Sequence, residues 1–196
     1  MRFVWGLIIG FIAFPVLCLV YLLSGHAPAG VTDHPFPMEK YIAGTALESR
    51  VHRVAPTRDP STFTAADVAS GATQYRDHCG GCHGLPDAMR RGPRPVTYPQ
   101  PPQLLTPDGY VTDDPVGVTY WKIENGIRMT GMPSFKDVLT SDQAWQVAAM
   151  LQQANKLPPD VIEILKQPRV FPPPPPANSE QGVTTPKPGR PPKSGK

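Results

Sequence analysis

Cys79-Gly80-Gly81-Cys82-His83 is the stretch whose reading decides the fold. Two cysteines separated by two residues and followed at once by a histidine have the pattern of a c-type haem attachment site. Each residue type answers a chemical need. Two thiols can add to the two vinyl groups of a haem, and the adjoining imidazole can reach its iron through a ring nitrogen. Cys79 and Cys82 are therefore the expected anchors of one haem c, and His83 is the expected proximal ligand. Gly80 and Gly81 carry no side chain that would hold the backbone away from the porphyrin edge. A redox dithiol or half of a zinc site competes for the same two cysteines. Zinc needs a second ligand pair, however, and the remaining cysteine, Cys18, lies inside an apolar run where it reads as a small buried hydrophobe.

Working outward, Thr64-Ala65-Ala66-Asp67 has the form of a capping box, and Val68, Ala72, Tyr75 and Cys79 follow at helical spacing. The pattern predicts an amphipathic helix that delivers Cys79 at its end. Gly71 lies inside it, where glycine is about 1 kcal/mol less favourable than alanine, so its presence predicts close approach of another backbone. From Gly84 to Pro107 the chain is proline-rich and aperiodic, which predicts an irregular loop over the ring. Arg90, Arg91 and Arg94 fall in this loop and are candidates to grip a haem propionate, against the plainer reading of a solvated basic face. The carbonyl of Pro102 is the expected acceptor for the other ring N–H of His83, and Leu104 or Leu105 is expected to pack on the ring.

A second helix is signalled by Asp114 as N-cap, Pro115 at the first helical position and Asn125-Gly126 at the close, with Val116, Thr119, Tyr120 and Ile123 on one stripe and Trp121 beside it. Then comes Gly126 to Phe135, which contains Gly131-Met132-Pro133. A thioether is a soft ligand suited to haem iron, and histidine with methionine raises the reduction potential. Met132 is the expected second ligand because its neighbours fix an irregular loop that can aim it; Met129 is the fallback, with Met89 and Met150 behind it. The last helix of the unit opens at Thr140-Ser141-Asp142-Gln143 and carries Ala144, Val147, Ala148 and Leu151 on one face with Trp145 alongside. Those small residues predict that it crosses the first helix near Gly71.

Four segments follow: residues 1–25 as a transmembrane anchor, 26–62 as a tether, 63–157 as the folded domain, and 158–196 as a proline-rich basic tail. Phe3 to Leu23 are 21 positions without a charge, long enough at ~1.5 Å per residue to cross a hydrocarbon layer of ~30 Å. Arg2 is the only positive flank before Lys40, which orients the N-terminus to the cytoplasm and the remainder outside. A cleavable secretory signal ending at Ala27-Pro28-Ala29 is the competing reading, but the apolar run is longer than such signals usually carry. His26, His34 and His52 lie in the tether and read as solvated, with only a short helical turn expected near Ala46 to Val51. Val161 to Lys166 is a short helical possibility, and five consecutive prolines from Pro172 open a stretch that cannot build a core. The formal net charge of +3 is not a nucleic-acid signature. Residues 63–157 carry eight Lys/Arg against nine Asp/Glu, so the basic excess sits mostly in the tail and the domain has little long-range steering charge.

Taken in order, these pieces between residues 64 and 156 resemble the class I cytochrome c family: the helix with Gly71 and Tyr75, Cys79 to Gly84, Pro101-Pro102-Gln103-Leu104, the Gly131-Met132-Pro133 loop and the helix bearing Trp145. The resemblance implies a small all-α domain whose first and last helices cross, with one haem held between His83 and Met132 and electron transfer at its exposed edge. It departs from the family pattern in the long, proline-laden loop between His83 and Leu104. The expected protein is a one-electron carrier on the bacterial inner membrane with its haem domain in the periplasm. Its expected partners are redox proteins or respiratory and photosynthetic complexes, with no nucleic acid and no small-molecule substrate. A cytochrome subunit of a larger oxidoreductase and a haem-based ligand sensor are the alternatives.

Overall fold

Reciprocal capping starts both helices of the central crossing. The computed structural model describes residues 2–86, 97–106 and 110–168. Among the described residues it holds seven α-helices and no strand: α1 (Arg2–Leu23), α2 (Glu39–Val54), α3 (Ala65–Gln74), α4 (Gly80–His83), α5 (Val116–Asn125), α6 (Ser141–Gln152) and α7 (Pro159–Lys166). Ahead of α3, Thr64 Oγ1 accepts the Asp67 N–H at 3.2 Å while the Asp67 carboxylate accepts the Thr64 N–H at 2.9 Å. Thr140 and Gln143 repeat the arrangement ahead of α6 at 3.2 and 2.8 Å. Each box satisfies two N–H groups that a helix start otherwise leaves without partners.

Between these caps the predicted stripes become the core. Val68, Ala72 and Tyr75 from the first stripe, and Ala144, Val147, Ala148 and Leu151 from the last, are all buried. The two helices cross at Gly71, where a Cβ would collide with the backbone carbonyl of Gln146. α5 buries Val116, Thr119, Tyr120 and Ile123 as expected, and Tyr120 stacks on Trp145 of α6 with ring centroids 4.0 Å apart. Its start differs by one residue: Asp114 makes no cap, because its carboxylate is held 3.1 Å from the Lys122 ammonium instead.

The packed unit is longer at both ends than residues 63–157. Beyond Leu157, α7 places Val161 and Leu165 in the same core at 1% and 0% exposure, a burial that stabilises by ~1.5–3 kcal/mol for each side chain. Arg76 ties this helix down: its guanidinium donates to Asp77 at 2.7 and 2.9 Å and to Gln167 Oε1 at 3.0 Å. At the other end the stretch read as tether contains the 16-residue α2. Among the described residues its C-terminal half meets the domain, through fully buried Val51 and through Glu48, which lies 3.1 Å from the Lys122 ammonium. The chain then runs across α5 where Gly117 leaves room for the carbonyl of Pro56. In α1, Val4–Leu23 is long and apolar enough to cross a membrane, and its apolar window is not buried among the described residues. The proline-rich segment from Phe171 onward lies outside the described residues.

Candidate functional site

α3 does not run straight into the cysteine motif. Residues Tyr75–Cys79 form one π-turn, closed by the Gly80 N–H donating to the Tyr75 carbonyl, before α4 carries Cys82 and His83. Such wide turns recur at functional sites because they re-aim the side chains that follow. Tyr75, fully buried, donates its hydroxyl to the Gly84 carbonyl at 2.9 Å and so braces the turn against the far end of the motif. Burial keeps the Tyr75 phenol well above its ordinary pKa, so it stays a neutral donor. Gly84, at φ 84°, takes the left-handed conformation that glycine adopts without steric penalty.

From there the chain returns over the motif. The Leu104 N–H donates to the His83 carbonyl at 3.1 Å, and Gln103 Nε2 donates to the Cys82 carbonyl at 3.3 Å. His83 Nδ1 lies 2.8 Å from the Pro102 carbonyl. A carbonyl can only accept, so Nδ1 carries the proton and Nε2 keeps its lone pair. Burial lowers the His83 pKa, opposed by the Pro102 hydrogen bond, and the neutral ring is the form that ligates a metal. The sequence assigned this role to Pro102 among several prolines, and the structure pairs the two.

All four expected site residues meet at one cavity of about 710 Å³, lined by Cys79, Cys82, His83 and Met132. That volume lies in the ~300–1,000 Å³ span of small-molecule and cofactor sites. Its apolar walls include Pro102, Leu104, Ile123 and Phe135; of the two leucines expected at the ring, Leu104 is the one on the wall. The Met132 segment is fixed by its own hydrogen bonds, with the Met132 N–H donating to Thr130 Oγ1 at 3.1 Å and the Ile127 N–H to the Met132 carbonyl at 3.1 Å. Met129 is turned away, 91% exposed at φ 58°, while Met150 is fully buried in the helical core. As a free thiol Cys79 is pushed up to about 12, by burial first and by Cys82 second, so it is neutral at physiological pH. Met89, Arg90, Arg91 and Arg94 lie outside the described residues.

Three contributions to the cavity were not read from the sequence. His78 lines it and sets its ring edge-on to Phe135 at 6.5 Å between centroids. Leu47 and Glu48 of α2 supply another part of the wall, and Lys122 bridges Glu48 and Asp114 at 3.1 Å each. The last two depend on contacts across long stretches of chain, for which no local signal exists. The donor set fits a haem: two thiols, an imidazole with an unprotonated nitrogen and a soft thioether converge on one apolar cavity.

Residues 66–151 match the family model described as cytochrome C oxidase, cbb3-type, subunit III. The chain carries a c-type cytochrome domain. The match spans under half of the 196 residues and is consistent with the class I resemblance. Comparisons with curated proteins and with solved structures return no match. The cytochrome domain implies haem c binding and suggests electron transfer, and it coincides with helices that surround the cavity. α2, which lies wholly outside the matched residues, is an addition to that wall.

Proposed function

We propose that the chain is a membrane-anchored electron carrier holding one haem c, bonded through Cys79 and Cys82 and ligated by His83 and Met132. The observation that carries this reading is the 2.8 Å bond from His83 Nδ1 to Pro102 in a cavity that Met132 and both cysteines share. The bound haem supplies one-electron cycling between ferric and ferrous iron. Pro102 fixes the tautomer and orientation of His83, so Nε2 is ready to ligate without reorganisation. Met132 supplies a thioether that favours the reduced state relative to a second nitrogen ligand. Ile123, Leu104 and Phe135 keep water from the site, which limits solvent rearrangement as charge changes. With His83 and Met132 both holding the iron, no coordination site would be left for a substrate or a sensed gas.

The anchor is α1, oriented with Arg2 on the cytoplasmic side of a bacterial inner membrane and the haem domain in the periplasm. The partners are redox proteins or respiratory and photosynthetic complexes, met through small transient contacts below roughly 1,200 Å². The family description favours a second reading, in which the domain passes electrons as a subunit of an oxidase. Full-length protein matured with haem and extracted in mild detergent tests both. The expected mass is that of the chain plus one haem, and the reduced spectrum is unchanged by carbon monoxide. Copurifying catalytic subunits select the oxidase reading, whereas a colourless protein of bare-chain mass contradicts either one.

A further inference from the structure

α2 is divided between two surroundings. Its C-terminal half grips the cytochrome domain through Leu47, Glu48 and Val51. Among the described residues its first two turns stand clear of the domain, and they and the residue before them present large apolar side chains: Met38 is 63% exposed, Tyr41 68% and Ile42 60%. Phe36 leads into this patch, and its ring meets Tyr21 in the last turn of α1 edge-on at 6.0 Å between centroids. That contact places the start of the patch at the level where the apolar run of α1 ends. The acids nearby are folded onto their own backbone: Asp33 accepts the Ala29 and Gly30 N–H groups at 2.9 and 2.7 Å, and Glu39 accepts the Phe36 N–H at 2.9 Å. Lys40, at the same level, is exposed.

We propose that Phe36, Met38, Tyr41 and Ile42 bed into the headgroup layer of the bilayer that α1 spans, so that α2 is a rigid strut from membrane surface to haem cavity. The inference rests on the reading of α1 as a retained anchor. Continuity argues for lipid as the occupant. Tyrosine and phenylalanine collect at the membrane–water interface, where apolar rings are buried while a hydroxyl stays wet, and a cation at that depth faces phosphate. Because α2 also supplies Leu47 and Glu48 to the cavity wall, the strut fixes the height and tilt at which the haem site faces its partners.

The test uses full-length, haem-loaded protein on a Cys18→Ser background, reconstituted in vesicles of phosphatidylcholine and phosphatidylglycerol. A nitroxide is attached in turn at Ile42→Cys, at Leu23→Cys in the last turn of α1, and at Arg50→Cys on the exposed side of the domain-bound half of α2. Collision with oxygen is compared with collision with a water-soluble nickel chelate, and an unaltered haem spectrum certifies each variant as folded. The expected result is an oxygen-to-nickel ratio several-fold higher at position 42 than at 50, approaching that at 23. A ratio at 42 equal to that at 50, with 23 still lipid-like, overturns the strut and leaves the anchor standing. A water-like ratio at 23 overturns the anchor itself and the strut with it. Shielding of 42 from both reagents assigns the patch to a protein neighbour and likewise overturns the proposal.

Discussion

Gly71→Ala adds one methyl group at the crossing of α3 and α6, and two opposing effects decide its outcome. In a helix interior alanine is better than glycine by ~1 kcal/mol. Against that, the new Cβ would overlap the carbonyl of Gln146, a backbone atom that cannot rotate aside as a side chain could. Overpacking of this kind costs ~1–3 kcal/mol, and an immovable neighbour puts it at the upper end. The expected net loss is therefore about 1–2 kcal/mol. With a urea slope of ~1–3 kcal/mol/M for a small domain, the unfolding midpoint should fall by roughly 1 M. Gly44→Ala provides the comparison, because Gly44 lies in α2 with nothing within 4 Å of its added Cβ. There the sign reverses, with a gain of up to ~1 kcal/mol. Urea unfolding of the haem-loaded protein, followed by far-ultraviolet circular dichroism and haem absorbance, measures both. A Gly71→Ala midpoint at or above that of the parent would refute the close crossing.

Three further outcomes follow from the same packing. Leu165→Ala empties a fully buried site on α7 and should destabilise the domain by ~2–5 kcal/mol in the same urea assay; a neutral result would return α7 to the tail. Tyr75→Phe removes the hydroxyl that bonds Gly84, and leaving that carbonyl without its donor should lower stability by ~1–3 kcal/mol with the haem still attached. Asp67 is held below the usual carboxylate range by the Thr64 N–H first, then by the Thr64 hydroxyl and Gln146. Its folded-state pKa is the lower one, so its contribution is complete above roughly pH 4 and is lost as pH falls through the folded value. Asp67→Asn should therefore flatten the acid limb of a stability–pH curve, and an unchanged limb would assign that limb to other carboxylates.

What the sequence made legible was local chemistry. Cys79, Cys82 and His83 are adjacent, and Thr64 with Asp67 and Thr140 with Gln143 each need only one helical turn to meet. Gly71 was readable because glycine in a helix interior carries a penalty that something must offset. Even the Pro102 carbonyl beside His83 and the place of Met132 on the cavity wall, with Met129 exposed, go with neighbours that restrict a loop. What was hidden depends on distance along the chain. The bond from Arg76 to Gln167 joins residues 91 apart, and that between Lys122 and Glu48 joins residues 74 apart. Without such contacts α2 reads as a tether, since Val51 is its one fully buried apolar residue and no stripe runs its length. α7 is short enough that Val161 and Leu165 alone carry its pattern. The π-turn at Tyr75–Cys79 escapes because its spacing of buried residues matches that of an ordinary helix.

The central claim is that a single iron porphyrin sits between His83 and Met132. The most direct measurement is the weak near-infrared band of ferric haem with sulfur ligation, recorded on the parent, Met132→Ala and Met129→Ala. The band should be present in the parent and in Met129→Ala and absent in Met132→Ala, with the haem still covalently bound in all three. A band that survives Met132→Ala and disappears in Met129→Ala would contradict the ligation described here.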